Sequence, residues 1–277
     1  MQIERNTGLP FMKMHGLVND FVVLDARARP LEVTPALARA LGDRHRGVGF
    51  DQLAIMRNHQ DALHLTFYNT DGSRSAACGN ATRCIARHVM TEHNLDRLSI
   101  FTERGQLEAV SVGDGHTAVN MGQPQTAWQD IPLARKMETL ALPIDGVPTA
   151  TGMGNPHCTF FVNNTDDVDL ESFGAAHEHH PLFPERTNVQ IAQIIARDRI
   201  RMRVWERGVG ITLASGSSSC AVAVAAARRG LAERKVRLLL DGGEIEIDWR
   251  DDGVWMSGPT AHVFSGTLTQ EFMQALE

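Results

Sequence analysis

Two tetrapeptides carry the residue types with most chemistry to offer, Ala77-Cys78-Gly79-Asn80 and Ala214-Ser215-Gly216-Ser217. The second reads as a repeat of the first with an oxygen in place of the sulfur. Each follows a glycine-containing turn, Asp71-Gly72 in one case and Gly208-Val209-Gly210 in the other. Each also opens an Ala-rich helical stretch, Ala81 to Met90 and Ala221 to Ala232. A reactive side chain is therefore expected at each of two helix N-termini. The first N–H groups of a helix have no intrahelical partner and the macrodipole is positive there, so such a site holds a carboxylate and favours a thiolate. Two such ends facing each other could hold one carboxylate and set an acid–base group on each face of its α-carbon. That is the chemistry of taking a proton from one face and returning it to the other.

Cys78 is the stronger base: a thiol with a reference pKa of about 8.5 becomes usable near neutrality once a helix N-terminus favours its thiolate. The hydroxyl of Ser215 is a far weaker acid, and two readings of it stand. Either it joins the proton transfer as a donor, directly or through water, or it is only an N-cap for the amide of Ser217 or Ser218. Cys220 cannot replace it, because five residues along a helix is about 500° of rotation and roughly 7.5 Å of rise, which turns the thiol away. Cys84 fails by similar geometry, and both read as core residues.

The chain has 277 residues, 43% of them apolar and 22% charged, which suits a soluble globular protein of one large or two modest domains; the internal duplication favours two. A formal charge of −6 argues against a nucleic-acid partner, since phosphate binding needs a concentrated basic face. Arg197, Arg199, Arg201 and Arg203, alternating with residues that include Ile200 and Met202, read as the wet face of a strand. No run of eighteen apolar residues exists and Met1-Gln2-Ile3-Glu4-Arg5 opens no hydrophobic signal core. No membrane span and a cytoplasmic location are expected, with Cys78, Cys84, Cys158 and Cys220 as reduced thiols. His177-Glu178-His179-His180 has the composition of a metal cluster but precedes Pro181 and reads as a loop. No metal is expected, nor PLP, because no lysine stands in a cofactor motif.

Alternation marks half-buried strands at Leu63–Phe67, Leu107–Val112, Ile200–Trp205 and Glu244–Asp248. Thr34-Pro35 starts a helix running to about Leu41, with Thr as N-cap and Pro at the first helical position.

Further segments recur in order along the chain: Lys13-Met14-His15-Gly16-Leu17-Val18-Asn19-Asp20-Phe21, Gly49-Phe50-Asp51-Gln52, Asn69-Thr70-Asp71-Gly72, Gly154-Asn155-Pro156-His157, Phe183-Pro184-Glu185-Arg186-Thr187-Asn188-Val189, Glu206-Arg207-Gly208 and Gly258-Pro259-Thr260. With Cys78-Gly79-Asn80, their order and spacing resemble the diaminopimelate epimerases, PLP-independent two-cysteine enzymes of lysine and peptidoglycan precursor synthesis, along nearly the whole chain. The resemblance implies an α+β fold of two pseudo-symmetric lobes, each a curved, mainly antiparallel sheet or barrel around a central helix. The expected lobes are 1–122, with 260–277 returning to it, and 123–259, the boundary falling near Gly122-Gln123-Pro124.

The same resemblance implies a catalytic pair, with Ser215 at the second cysteine position, and no cofactor. Gly79, Asn80, Gly216 and Ser217 would cradle the reacting carboxylate. Asn19, Gln52, Asn69, Asn155, Asn188, Glu206 and Arg207 would line the pocket, Arg207 as the bidentate partner of a distal carboxylate. His157 would give polar support, and Val18 stands where the family usually has Gly, as Ser218 and Ser219 stand for Gly and Ala. The implied reaction is epimerisation of LL- to meso-diaminopimelate by a homodimer whose only other partner is this small amino acid. Two alternatives follow from Ser215: racemisation or β-elimination of another amino acid by a Cys/Ser pair, or a non-catalytic paralogue or serine variant that only binds.

Overall fold

The computed structural model describes residues 8–59, 62–75, 78–113 and 115–276. Ala77 of the first tetrapeptide and the Met1–Arg5 start lie outside the described residues. The chain divides into two compact units, one holding the residues through Ser111 and again from Thr260 onward, the other Val112–Pro259.

The first unit begins with the hairpin β1 (Leu9–Gly16) and β2 (Asn19–Asp25). Its two-residue turn puts Leu17 at φ 55° and Val18 at φ 68°, the left-handed pair that matches the twist of a tight hairpin. Helix α1 (Pro35–Gly42) then crosses to β3 (Gln52–His59), which lies parallel to β2 and pairs antiparallel with β4 (Ala62–Asn69). Thr34 caps α1 by accepting from the Leu37 amide, with Pro35 at the helix start. A two-residue strand β5 (Arg74–Ser75) turns back along β4 and leads into α2 (Gly79–His93). That helix crosses to β6 (Arg97–Thr102), parallel to β4, and β7 (Gly105–Ser111) closes the series as a hairpin with β6.

The second unit repeats this order. Strand β8 (His116–Asn120) comes first, then β9 (Thr149–Gly152) pairs antiparallel with β10 (Pro156–Phe161). Helix α3 (Leu170–Glu178) crosses to β11 (Asn188–Ala196), parallel to β10 and antiparallel to β12 (Arg199–Glu206). The short β13 (Gly210–Thr212) turns back along β12 and leads into α4 (Gly216–Arg228), which crosses to β14 (Lys235–Leu240), parallel to β12. Strands β15 (Gly243–Arg250) and β16 (Gly253–Pro259) continue antiparallel, and β16 takes β8 as its other neighbour. That last pairing corrects the expected boundary: β8 hydrogen-bonds to β16, so the first unit ends at Ser111 and not at Gly122. Strand β17 (Ala261–Leu268) pairs with β1, and α5 (Gln270–Gln274) follows it in the first unit.

The crossover helices α2 and α4 are the centres of their units. Every residue of α4 from Ser218 to Ala226 is buried, whichever way it points, which an Ala- and Val-rich sequence allows because small side chains let strands approach from all sides. The helix ends at Arg228 rather than at the expected Ala232. Gly230, at φ 68°, takes the left-handed position, and the Leu231 and Gly230 amides bond back to the Ala226 and Ala227 carbonyls, a Schellman ending. Asn94, at φ 52°, ends α2 in the same way. Helix α3 had no sequence signal beyond its cap, Asp169, and carries Glu178, which was read as loop. Three of the four alternating arginines, Arg199, Arg201 and Arg203, fall on β12, where Ile200, Met202 and Val204 are buried and Arg201 and Arg203 reach Asp241, while Arg197 lies in the turn before it. Among the described residues no helix is long and apolar enough to cross a membrane.

Val18 is the costly residue in this fold. It is β-branched, 56% exposed and held left-handed, so it bears strain without packing in return. Val18→Gly removes a steric cost of about 1–2 kcal/mol and adds back a smaller loss of chain entropy. The variant is expected to be more stable by about 1 kcal/mol in urea denaturation, with an unchanged slope.

Candidate active-site residues

Cys78 and Ser215 occupy the same structural position. Each is the N-cap of its unit's central helix, and each has φ −142°. Behind each, a hydroxyl four residues on bonds the cap's carbonyl at 2.8 Å: Thr82 Oγ1 to Cys78 O and Ser219 Oγ to Ser215 O. Ser219, at first only a departure from a small residue, therefore has the role Thr82 has in the other half. Gly79-Asn80 and Gly216-Ser217 form the first residues of the two helices, where amides lack intrahelical acceptors.

The side chains then diverge. Cys78 Sγ accepts from the Ala81 amide at 3.4 Å, as a capping residue does, and its thiol lies 3.8 Å from Asn19 Oδ1. Ser215 makes no capping hydrogen bond. The expected bond from the amide of Ser217 or Ser218, in which the hydroxyl would accept, is absent, and the hydroxyl instead donates to Glu206 Oε2 at 2.9 Å. Glu206 Oε1 accepts from Thr212 Oγ1 at 2.6 Å. Burial pushes the Glu206 carboxyl up from its ordinary value, and the hydrogen bonds from Thr212 and Ser215 only partly oppose this. Ser215 thus sits on a carboxyl group inclined to hold a proton.

Around Cys78 the polar residues form a chain. Asn80 Nδ2 donates to Asn19 Oδ1 at 3.3 Å, and the buried Arg83 donates to Asn80 Oδ1 at 3.0 Å. Asn19 Nδ2 donates to Asp51 Oδ2 at 3.0 Å, which turns its oxygen toward Cys78. Asp51 is in turn held by Arg44, which with Lys13 also grips Asp20. Burial alone would raise the Asp20 pKa, but hydrogen bonds from Arg44 and Lys13 outweigh it and hold the group at about 2. Gln52 and Asn69 face each other across β3 and β4, joined by a 3.4 Å hydrogen bond. Neither Asp51 nor Arg44 carries a local signal of this role, though Asp51 directly precedes Gln52 in Gly49-Phe50-Asp51-Gln52.

In the second unit Asn155 accepts from His157 Nε2 at 2.9 Å. His157 is fully buried, and Gln190 Nε2 donates to its Nδ1 at 3.0 Å, which leaves the proton on Nε2. Gln190 also donates to Ser218 Oγ at 3.1 Å. Asn188 opens β11, next to Val189, which pairs with Trp205 of β12, and its Oδ1 receives the Arg207 amide at 3.0 Å. Arg207 gives one guanidinium donor to Glu185 O at 3.0 Å, out of the five the group carries.

The other thiols are placed for packing. Cys84 donates to His15 O and burial pushes its pKa up to about 11; burial also raises Cys158, and Cys220 is fully buried. His177 bonds Phe173 O at 2.8 Å and packs on Phe160 and Phe173. Among the described residues, no group of three or more His, Cys, Asp or Glu is placed to hold a metal.

The sequence profile of the family described as diaminopimelate epimerase matches residues 11–127 and 149–263, one segment in each half. The chain belongs to the diaminopimelate epimerase family. It is 51% identical over 266 residues to the diaminopimelate epimerase of Acidiphilium cryptum (strain JF-5), covering 94% of this chain and 96% of that one. It is 49% identical over 271 residues to that of Rhodospirillum centenum (strain ATCC 51521 / SW), covering 95% and 93%. Among solved structures, a predicted epimerase from Pseudomonas aeruginosa matches with a TM-score of 0.69 at 15% identity, covering 95% of this chain and 99% of that one. A hydroxyproline epimerase from Agrobacterium vitis, with bound trans-4-hydroxy-L-proline, matches at 0.66 and 11%, covering 98% and 94%. At such identities the structural likeness speaks for the fold alone. The two equivalent helix starts of this chain differ in what their cap side chains bind, an amide at Cys78 and a carboxyl group at Ser215.

The Glu206 carboxyl gives that difference a pH signature. Its folded pKa lies above the unfolded value of about 4.3, so its contribution to stability is complete below that value and is lost as pH rises through the folded pKa. Glu206→Gln has no such titration. Wild-type stability relative to Glu206→Gln is expected to fall in urea denaturation as pH rises from the unfolded value of about 4.3 through the higher folded one. A pH-independent difference would mean an ordinary carboxyl group.

Proposed function

We propose that this chain interconverts LL- and meso-2,6-diaminopimelate without a cofactor, by removing the proton of one α-carbon and returning a proton to the opposite face. The observation that carries the reading is the duplicated helix start: Cys78 and Ser215 are equivalent N-caps in a chain of the diaminopimelate epimerase family.

In the direction where Cys78 acts first, its thiolate takes the α-proton and the electron pair moves toward the substrate carboxylate. Amides at the starts of the helices, in Gly79-Asn80 and Gly216-Ser217, stabilise the growing negative charge. Ser215 Oγ turns its proton from Glu206 to the carbanion and gives it up, and Glu206 in its protonated form, donating to that oxygen instead of accepting from it, replaces the proton. The serine is therefore a conduit, so its own weak acidity does not set the barrier. Cys78 ends as a thiol and Glu206 as a carboxylate, and exchange with water resets both. Asn19, Gln52, Asn69, Asn155 and Asn188 supply neutral hydrogen bonds to the amino-acid groups, and Arg207 takes the distal carboxylate.

A homodimer, as the resemblance implies, would suit β17, whose Val263 and Phe264 are 56% and 48% exposed. A cytoplasmic location fits an amino-acid biosynthetic enzyme.

The test is incubation with diaminopimelate in D₂O, following α-deuterium by mass spectrometry together with product stereochemistry. Cys78→Ser is expected to abolish exchange; undiminished exchange would overturn the mechanism. Ser215→Cys should raise the epimerisation rate, since a thiol donates directly. Arg207→Met should weaken diaminopimelate binding by about 2–5 kcal/mol, because a buried carboxylate is left unpaired. Lysine, without that carboxylate, should bind poorly to the native protein, and equal affinity for both would remove the case for diaminopimelate.

A further inference from the structure

We propose that Glu178 is a positioning residue of the substrate site, setting through Trp205 and Gly208 the turn that carries Glu206 and Arg207. The proposal rests on the reading of Arg207 as the distal-carboxylate partner.

Glu178 stands at the last position of α3, where the helix dipole disfavours a negative charge, and its side chain is only 5% exposed. A carboxylate kept there against both costs has donors to meet them. Trp205 Nε1 donates to Oε2 at 2.7 Å, and the Gly208 amide and Arg186 Nη1 donate to Oε1 at 2.9 and 3.3 Å. Burial alone would raise its pKa, but Trp205, Gly208, His179 and Arg186 together bring it below the ordinary value.

Two of the donors, Trp205 and Gly208, bracket Glu206-Arg207. The turn closes through the Val209 amide on Glu206 O at 3.0 Å, with Gly208 at φ 74°. Within it, the Arg207 amide is bound by Asn188 Oδ1 and the Gly208 amide by Glu178, so both amides after Glu206 are fixed by side chains from other elements. The Glu178 carbonyl receives the Thr187 amide at 3.1 Å, which ties in the segment leading to Asn188. Glu178 is also delivered rigidly. Gly174, four residues before it on the same helix face, lies so close to Trp205 that a Cβ there would be 2.5 Å from the indole. Helix α3, the Trp205 ring and the turn thus form one block, with the carboxylate as its joint.

Steady-state kinetics of Glu178→Ala, Glu178→Gln, Arg207→Met and the double variant Glu178→Ala/Arg207→Met test this. Glu178→Ala is expected to raise KM for diaminopimelate about tenfold or more, with a smaller change in kcat. Glu178→Gln keeps an acceptor oxygen and should recover part of the loss. The double variant should be no worse than Arg207→Met alone, because a misplaced guanidinium and an absent one are equivalent. Effects that add, or a Glu178→Ala variant with lowered thermal stability but native KM, would overturn the proposal. If Glu178→Ala does not fold, Glu178→Gln alone decides: a native KM in it sinks the idea. A normal KM in Arg207→Met would instead defeat the reading of Arg207, and that result is visible with Glu178 intact.

Discussion

Successive turns of α2 and α4 are buried on every side, and that constraint organises both halves of this protein. Through residues 80–86 of α2 and 218–226 of α4 the side chains are enclosed, and the amides without intrahelical acceptors are those of the first turn. The Ala- and Val-rich sequence that permits the enclosure thereby fixes where the reactive side chain must be. It also explains why Cys84 and Cys220, on the same helices as the two caps, are inert core residues. The cap's carbonyl is anchored from within by Thr82 or Ser219, and the cap residue itself is buried in both halves.

Against that shared frame, the exchange of sulfur for oxygen is a change of partner. A thiol is a poor hydrogen-bond donor, and Cys78 remains associated with its helix start through the Ala81 amide. A hydroxyl donates well, and the carboxyl group of Glu206 is within reach, so Ser215 leaves the cap role and bonds to the acid. The helix loses one capping interaction, worth about 1 kcal/mol, and the hydroxyl gains a hydrogen bond to a carboxyl group instead. The two equivalent caps thus differ in partner: a backbone amide for Cys78, and for Ser215 a buried carboxyl group whose pKa burial raises.

How much of this could be read beforehand depended on the range of the interaction. Local signals were legible: Thr34-Pro35 starts α1, alternation marks β4, β7, β12 and β15, and the repeated tetrapeptides lie at helix starts. Features set by partners distant in sequence were not. The end of α4 was set by Gly230, against a run of helix formers that continues to Ala232. The unit boundary depended on β8 choosing β16, a pairing across more than half the second unit that no local pattern encodes. The capping role of Ser215 was a sound local inference, overridden by Glu206 from the neighbouring strand. Asp51 and Glu178 escaped notice for the same reason, since each acts on residues brought to it by the sheet.

The two half-sites also solve the problem of fixing neutral amides in different ways. In the first unit, Asn19 is oriented by Asp51, whose charge is balanced by Arg44 in a network with Lys13 and Asp20 near the surface. In the second, Asn155 is oriented by a fully buried His157, itself fixed by Gln190. Charges near solvent are screened by salt, whereas buried neutral hydrogen bonds are not. The first arrangement can loosen and re-form as the ionic environment changes, and the second holds its geometry or unfolds.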